Sequence, residues 1–400
     1  MIKNYWEFSS RNWQHLTFGA MLLAISSFGQ TYFISISGAH FREAFRLSDG
    51  GLGTVYAIGT FLSALTLTWA GRLIDYTTVR AFSWAVAVLL ACACGLVSFS
   101  PNIYVLLLAF YLLRLGGQGL MVHTALTATA RTFPADAGKA LGIIALGMSV
   151  AQAIFPLAGV TMNDMFGWRA SWAINALFVI AGVGVALTVL PRAGDRPLRQ
   201  RQPKGQASTE PRQTSLLLDR RLLMTLPAVL ASPFIVTGFF FHQGRLAEQK
   251  HWDIAWLAAG FVVFAIVQAV SVVVIGPVID RFGTKRILPY FLLPQAIGML
   301  ALGLLSSSWV ALVYMVLMGI SSAFGSTLAT ALWVELFGAN ELARVRSAVE
   351  AGSVIASGAS PVIMGLLIDA GFPLSWQALA CCAYTVLASI IAIGVQRVKV

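Results

Sequence analysis

A charged and an amide side chain inside an apolar segment are the first candidates for chemistry in this sequence. The run Arg114-Leu-Gly-Gly-Gln118-Gly119 lies near the middle of the apolar segment 102–128. An arginine at the centre of a bilayer costs about 2.5 to 3.5 kcal/mol, so Arg114 must face a protein interior or a wet cavity. At about 100° per residue, Arg114, Gln118 and Met121 share one helix face, with Tyr111 on its flank. We expect this face to bind an anion or to take part in proton coupling. The alternative is an Arg114 that is hydrogen-bonded to the first apolar segment and holds the helices together.

Gln30 is a second polar residue deep in an apolar segment, about midway along 16–38. In a continuous helix Ser26 and Ser37 lie within about 40° of it, which predicts a polar stripe. Such a stripe faces a bundle interior or a cavity. Gln30 is therefore a candidate for substrate contact, with an interhelical hydrogen bond as the alternative.

Two further candidate sites lie in the second half of the chain. His242 and Gln243 follow an aromatic run that begins at Phe239, and they could form an outer gate or a first contact for substrate, although interfacial aromatic belts are common. Glu350 lies one turn into the segment 345–369, four residues after Arg346. A local salt bridge explains this spacing, whereas a Glu350 turned inward could carry a proton.

The remaining reactive residue types do not form a recognisable centre. The 4 cysteines fall inside apolar segments, and the 5 histidines have no partners at a spacing that suggests catalysis or metal binding. His123 lies on the opposite face from Arg114 and is interpreted as a packed neutral histidine. There is no nucleotide-binding motif of the Gly-x-x-x-x-Gly-Lys-Ser/Thr type. The sequence therefore predicts neither an enzyme nor an ATP-driven pump, and it predicts no metal and no cofactor.

The elements that position these residues are predicted to be membrane-spanning helices. The chain has 400 residues, 58% of them hydrophobic and 11% charged, which is far from the composition of a soluble domain. Twelve apolar stretches are long enough to cross a bilayer, and they lack the alternation of a transmembrane barrel. They are residues 16–38, 50–70, 81–99, 102–128, 140–161, 171–190, 222–244, 254–276, 286–305, 309–336, 345–369 and 375–395.

The net charge of +11 is distributed unevenly between the connecting segments. Segments on the side of the N-terminus carry 21 basic residues, those on the other side carry 5, and Arg114 remains within a span. This asymmetry places both termini in the cytoplasm, and it accounts for the positive charge without a nucleic-acid partner. The segment 192–221 is rich in Pro, Gln and Arg and is predicted to be a cytoplasmic linker between the bundles 1–191 and 222–400.

The two halves repeat one another at an offset of 205 residues. Gly71-Arg-Leu-Ile-Asp75 corresponds to Gly276-Pro-Val-Ile-Asp280, and Pro156 of the fifth stretch corresponds to Pro361 of the eleventh. Two six-helix bundles in parallel repeat are related by a pseudo-twofold axis along the membrane normal. The predicted fold is therefore all-α, with twelve transmembrane helices in two six-helix bundles and a working site near the midplane.

With these motifs the sequence resembles the major facilitator superfamily of secondary transporters over essentially the whole chain. Gly276-Pro-Val-Ile-Asp280-Arg281-Phe-Gly283-Thr-Lys285-Arg286 is similar to the loop signature of that family, and the first copy keeps the Gly, the Asp and the final Arg but has Thr78 in place of a Gly. The resemblance implies a gate, with Arg131 as partner for Asp75 and Glu335 as partner for Arg281 or Lys285. The predicted gating residues are Gly71, Asp75, Arg80, Arg131, Gly276, Asp280, Arg281, Gly283, Lys285 and Glu335.

The resemblance implies a monomeric transporter in a bacterial inner membrane that works by rocker-switch alternating access. Its expected partners are the lipid bilayer, a small anionic or zwitterionic organic substrate and protons as coupling ion. Gly29-Gln30, the Arg114 run and His242-Gln243 are also similar to a branch related to copper or riboflavin importers. Drug or metabolite efflux, and a non-transporting membrane sensor or assembly factor, are the remaining alternatives.

Overall fold

A computed structural model describes residues 2–191 and 219–397 of the chain. Most of the predicted linker, residues 192–218, lies outside these described residues. The chain divides into two compact units, Met1–Gln200 and Arg201–Val400. The described residues of each unit are mainly α-helical with short 3₁₀ turns, the first unit also contains a π-helix, and the described residues contain no β-strand.

The first unit has helical structure at each of its six predicted spans. The α-helices are α1 Ile2–Arg11, α2 Trp13–Ile25, α3 Thr31–Ile34, α4 Gly38–Phe45, α5 Asp49–Ala70, α6 Val79–Phe99, α7 Ile103–Leu113, α8 Val122–Thr132, α9 Ala137–Phe166 and α10 Trp168–Val189. Residues 26–29, 35–37 and 71–75 form 3₁₀ turns, and Arg114–Met121 is π-helical. Helices α2 to α4 together occupy the position of span 1, and α7, the π-helix and α8 together form span 4.

The second unit is more regular. Its α-helices are α11 Arg220–Phe241, α12 Gln243–Lys250, α13 Ile254–Phe282, α14 Thr284–Ile287, α15 Leu293–Leu304, α16 Trp309–Asp369 and α17 Leu374–Ile393. Helix α16 contains spans 10 and 11, which are separated at Gly338, where φ is 75°. Helix α11 stays continuous although it contains Pro227 and Pro233.

The prediction of a polytopic helical fold is confirmed. Among the described residues, nine helices are long and apolar enough to cross a membrane, and the bent pair Trp13–Gly29 and Thr31–Phe45 brings the number to ten. Two shorter apolar helices, Leu293–Leu304 and Trp309–Gly325, occupy the positions of spans 9 and 10. Each of the twelve predicted stretches therefore coincides with helical structure.

The internal repeat is visible in the backbone. Helix α4 runs from residue 38 to 45 and helix α12 from 243 to 250, so both ends are displaced by the predicted 205 residues. Each helix ends at a non-glycine residue in the left-handed conformation, Arg46 with φ 52° and His251 with φ 55°. Left-handed backbone is uncommon outside glycine, so its occurrence at equivalent positions supports the repeat independently of the apolar pattern.

Candidate functional site

Span 1 is interrupted at Gln30. This residue has extended backbone, with φ −86° and ψ 150°, between the 3₁₀ turn Ser26–Gly29 and helix α3. The two halves of the span differ in direction by 47°. Interrupted helices within a membrane occur where backbone groups line a cavity or are bonded by neighbouring protein.

The second irregularity, the π-helix Arg114–Met121 of span 4, packs against the interruption in span 1. A Cβ built on Gly29 would lie 2.1 Å from the carbonyl oxygen of Leu113, and one built on Gly117 would lie 2.6 Å from the Cα of Gly29. Neither position accepts a side chain without movement of the backbone. The two glycines therefore allow the backbones of spans 1 and 4 to touch where both depart from regular α-helix. π-Helical turns are frequent at functional sites.

Arg114 joins these two irregular segments through its side chain, which is 4% exposed. Its Nη1 donates to the carbonyl oxygen of Gly29 at 3.0 Å and approaches the hydroxyl of Thr31 at 3.5 Å. The guanidinium carbon lies 5.2 Å from the centre of the Tyr56 ring, whose hydroxyl is bonded to that of Thr31 at 2.6 Å. Within the described residues, no carboxylate lies within 4.0 Å of Arg114. The groups that face its charge in this part of the chain are a carbonyl, a hydroxyl and an aromatic ring.

The structure does not bring the other three residues of the Arg114 face to one surface. Gln118 is exposed, Met121 is fully buried, and Tyr111 is half-buried with its hydroxyl 3.0 Å from that of Thr66. The expected common face assumed 100° per residue. The π-helix turns the chain by less at each residue, because its hydrogen bonds join residues five apart, so the side chains are distributed differently around span 4.

The predicted polar stripe of span 1 is also rearranged. Ser26 is buried and donates to the carbonyl of Leu23 at 2.7 Å, while Ser37 accepts from Asn163 at 3.3 Å and from the Trp172 indole at 3.0 Å. Both serines are thus engaged within the bundle, and Gln30, at the interruption, remains half-buried. The periodicity fails here because the helix is not continuous.

In the second unit, Glu350 lines a cavity of about 460 Å³. Arg346 lines the same cavity, and both side chains are exposed. The local salt bridge suggested by their spacing is absent, since no ion pair joins these two described residues within 4.0 Å. The nearby pair is instead Arg344 with Glu341, at 3.6 Å.

His242 and Gln243 are not surface residues. They are 2% and 3% exposed, and the Nε2 of His242 is hydrogen-bonded to the carbonyl oxygen of Pro361 at 2.9 Å. The ring of Phe241 contacts the His242 ring edge to face, with centroids 5.0 Å apart. The bond to Pro361 ties the end of span 7 to span 11. The burial of both side chains differs from the outer surface expected of a gate.

The first copy of the loop motif is held by two contacts to span 4. Nη2 of Arg131 lies 2.5 Å from Oδ1 of Asp75, which is the partner suggested for this carboxylate. His123 is bonded through Nε2 to the carbonyl oxygen of Gly71 at 3.1 Å. Arg80 instead donates to the carbonyls of Leu187 and Leu190. Arg80 therefore binds the C-terminal end of span 6.

The second copy uses a different contact. Glu335 accepts hydrogen bonds from the backbone amide of Thr284, at 3.2 Å, and from its hydroxyl, and not from Arg281 or Lys285 as expected. Thr284 begins helix α14, whose first amides lack partners within the helix, so a carboxylate is stabilised there. Gly283 before it has φ 80°, whereas the equivalent Thr78 has φ −76° and caps helix α6 with its hydroxyl.

The other motif residues of the second copy are exposed or half-buried. Asp280 and Arg281 are exposed, and the Arg281 guanidinium lies 5.3 Å from the centre of the Phe282 ring. Gly276 and Lys285 are half-buried. The two copies therefore share a sequence signature but not a set of contacts.

Sequence reasoning missed three residues around Arg114, namely Gly29, Thr31 and Tyr56. Threonine and tyrosine are common residue types in apolar helices. Neither Thr31 nor Tyr56 belongs to the polar stripe predicted for span 1, so the sequence did not single them out. The signal that was present is the pair of glycines, since small residues in two spans permit close approach. Which spans approach one another is decided by the tertiary structure.

Comparison with known proteins decides the family. The sequence profile of the Major Facilitator Superfamily matches residues 19–267 and 245–398, which is almost the whole chain. The chain belongs to this superfamily. The predicted class, a membrane transporter and not an enzyme, is thereby confirmed.

Individual members of the superfamily are similar to this transporter at a distance. It is 28% identical to a chloramphenicol resistance protein of Streptomyces lividans over 74% of each chain. It is 24% identical to a gentisate transporter of Corynebacterium glutamicum over 61% of this chain and 56% of that protein. The solved structure of the nucleoside transporter NupG superposes with a TM-score of 0.74 at 11% identity, covering 96% of this chain and 99% of that one. This last likeness concerns the fold alone.

Proposed function

We propose that the protein is a proton-coupled secondary transporter of a small anionic or zwitterionic organic solute. It works by rocker-switch alternating access, as a monomer in the inner membrane of a bacterium, with both termini in the cytoplasm. The observation that carries the proposal is Arg114, a buried guanidinium whose contacts among the described residues are all uncharged. A buried cation without a carboxylate partner is stabilised by an anion that reaches it.

The position of Arg114 supports this role. It bonds to the carbonyl of Gly29, next to the interruption at Gln30, and its Nε has no hydrogen-bond partner among the described residues. A solute anion that engages this guanidinium would pull on the bond to Gly29, and so on the junction of spans 1 and 4. We propose that two amides contribute hydrogen bonds to the solute, the half-buried Gln30, which follows Gly29, and the exposed Gln118, which lies one helical turn after Arg114.

The gate is proposed to involve the Asp75–Arg131 pair. Both side chains are partly exposed, at 41% and 21%, so the pair contributes little to stability and can break at small cost. Arg131 and His123 both belong to α8 and hold the turn 71–75 at its two ends. Displacement of span 4 would therefore disturb both contacts together, which links the Arg114 region to the loop motif through one helix.

Flux into liposomes tests the proposal. Gentisate and chloramphenicol are the first probes because the proteins named for them are similar to this chain, followed by other organic acids and zwitterions, with and without an imposed proton gradient. We expect gradient-driven uptake of an anionic or zwitterionic solute. Arg114→Gln should abolish it, and Arg114→Lys, which keeps the charge, should retain part.

Arg169→Gln is the matched control. Arg169 also donates to backbone carbonyls, those of Ser98 and Ser100, and lies 4.3 Å over the Trp168 ring, but it is at the start of span 6 and exposed. Its replacement should leave flux near the level of the unmodified protein. Loss of flux in both variants, or in neither, would show that Arg114 has no special role.

Drug efflux is the second candidate, supported by the 28% identity to the chloramphenicol resistance protein. It predicts that the uncharged chloramphenicol is expelled against its gradient from cells that produce the protein. If chloramphenicol is exported and no charged solute moves, the efflux function replaces the proposal above.

A further inference from the structure

The described residues that line the cavity beside Glu350 all belong to the second unit. It is formed by spans 7, 10 and 11 together with residues just before helix α15, and its volume of about 460 Å³ is in the range of small-molecule sites. One part of its lining is polar, and the residues that give it this character are Ser232, Thr237, Ser322, Arg346, Glu350 and Ser353.

The two charges of this cavity have opposite signs and are not paired with one another. Arg346 and Glu350 are four residues apart on span 11, so their Cβ atoms are about 5–6 Å apart. Both line the cavity with exposed side chains. The described residues place no ion-pair partner within 4.0 Å of either group. A cation and an anion, separated by one helical turn, are therefore both available to a ligand.

The remaining lining supplies hydrogen bonds and an apolar wall. The Oγ of Ser322 is buried and has no hydrogen-bond partner among the described residues, although a buried hydroxyl normally has one. Phe291 and Trp333, both 2% exposed, belong to the same lining. The cavity thus combines an aromatic surface, a hydroxyl group without a partner and two opposite charges.

We propose that this cavity binds the zwitterionic head of a solute, with its ammonium group at Glu350 and its carboxylate at Arg346. The apolar or aromatic body of the solute lies against Phe291 and Trp333. An anion bound at Arg346 also lies close to Glu350, and an amine bound at Glu350 also lies close to Arg346. Each of these ligands is therefore repelled by the group of like charge. This inference rests on the proposed transport of a small solute, and it narrows the solute class to zwitterions. It assigns the solute a second binding site in the second unit, in addition to the contact proposed at Arg114 in the first unit.

Binding to the purified full-length protein tests this assignment with three matched sets of probes. Phenylalanine is compared with phenethylamine and 3-phenylpropionate, leucine with isopentylamine and 4-methylpentanoate, and glutamine with 4-aminobutanamide and glutaramate. We expect at least one zwitterion to bind more than tenfold more tightly than both its amine and its acid. If every zwitterion binds no better than its amine or its acid, the assignment is overturned.

Two variants locate the charges. Glu350→Gln removes the partner of the ammonium group, so this variant should no longer bind the zwitterion more tightly than its acid. Arg346→Gln removes the partner of the carboxylate, so this variant should no longer bind the zwitterion more tightly than its amine. Glu341→Gln, on the same helix but outside the cavity lining, should change neither preference. Glu350→Asp keeps the charge and should restore most of the first preference. Unchanged preferences in the Glu350→Gln and Arg346→Gln proteins would contradict the assignment.

The binding assay also separates this inference from the proposed function. Zwitterion binding that depends on Glu350, without flux into liposomes, would uphold the cavity and remove the transport proposal. Flux of an anionic solute that depends on Arg114, without any preference for zwitterions, would uphold transport and remove the zwitterion assignment.

Discussion

The backbones of Gly29 and Gly117 are in direct contact, so a Cβ on Gly117 would lie 2.6 Å from the Cα of Gly29. This contact joins the interruption of span 1 to the π-helix of span 4, and Arg114 bonds to the carbonyl of Gly29 beside it. The equivalent part of the second unit has neither feature, because α11 is continuous and residues 319–326 of α16 are α-helical. The two halves of the repeat have therefore diverged where the first is irregular.

Gly117→Ala should destabilise the protein. The added methyl group overlaps backbone atoms of span 1, and overpacking of this kind costs about 1–3 kcal/mol. Thermal unfolding in detergent measures the change. Gly95→Ala in span 3 is the control, because nothing lies within 4 Å of the added Cβ, and alanine is favoured over glycine in a helix by about 0.5–1 kcal/mol. Equal melting temperatures for the two variants would show that spans 1 and 4 separate easily at this point.

Breaking the Asp75–Arg131 pair should alter transport more than stability. Because both groups are partly exposed, a pair of this type contributes about 0–1 kcal/mol. Asp75→Asn is therefore expected to unfold at nearly the original temperature but to change the rate of flux, and a double-mutant cycle with Arg131→Gln isolates the coupling between the two residues. The local pair Lys139–Asp136, at 2.7 Å and of similar exposure, is the control and should affect neither property. A flux unchanged by Asp75→Asn would remove the pair from the gate.

Arg46→Gly and His251→Gly should each stabilise the protein slightly. Both residues are exposed and have left-handed backbone, with φ 52° and 55°, which costs a non-glycine residue about 1–2 kcal/mol. Part of this gain is offset because glycine makes the unfolded chain more flexible, by about 0.4–1 kcal/mol. Gly371→Ala is the opposite change, at a position where φ is 89°, and it should destabilise the protein. Thermal unfolding of the three variants tests whether the signs differ as expected.

Acid should weaken the start of span 7 through Asp219. The hydrogen bond from the Arg221 side chain is the main cause that lowers the pKa of Asp219 from its ordinary value of 3.8, and a backbone amide bond from Arg221 at 2.8 Å acts in the same direction. A carboxyl with a lowered pKa stabilises the folded state above its ordinary pKa, and this contribution is lost as the pH falls through the lowered value. Asp219→Asn should therefore be less stable at neutral pH and should lose less stability on acidification. Parallel curves of melting temperature against pH would contradict this.

The sequence by itself determined the helical membrane fold, the internal repeat and the burial of Arg114. The helical fold follows from solvation, since apolar stretches of about twenty residues are stable as helices in the hydrocarbon core of a bilayer. The expectation for Arg114 follows from the free-energy cost of a charge in the hydrocarbon core, which requires its side chain to face protein or a water-filled cavity. Such effects act on segments of about twenty residues and do not depend on which helices are neighbours.

Only the tertiary structure decided how the polar residues are placed. The common face of Arg114, Gln118 and Met121 was derived from a uniform α-helix, but the close contact of Gly29 with Gly117 coincides with an interruption in span 1 and a π-helix in span 4. Similarly, the amide of Thr284 could be assigned to Glu335 only once the start of α14 was known. Local periodicity fixes the direction of a side chain only where the helix is regular, and regularity here is set by packing between helices that are distant in the sequence.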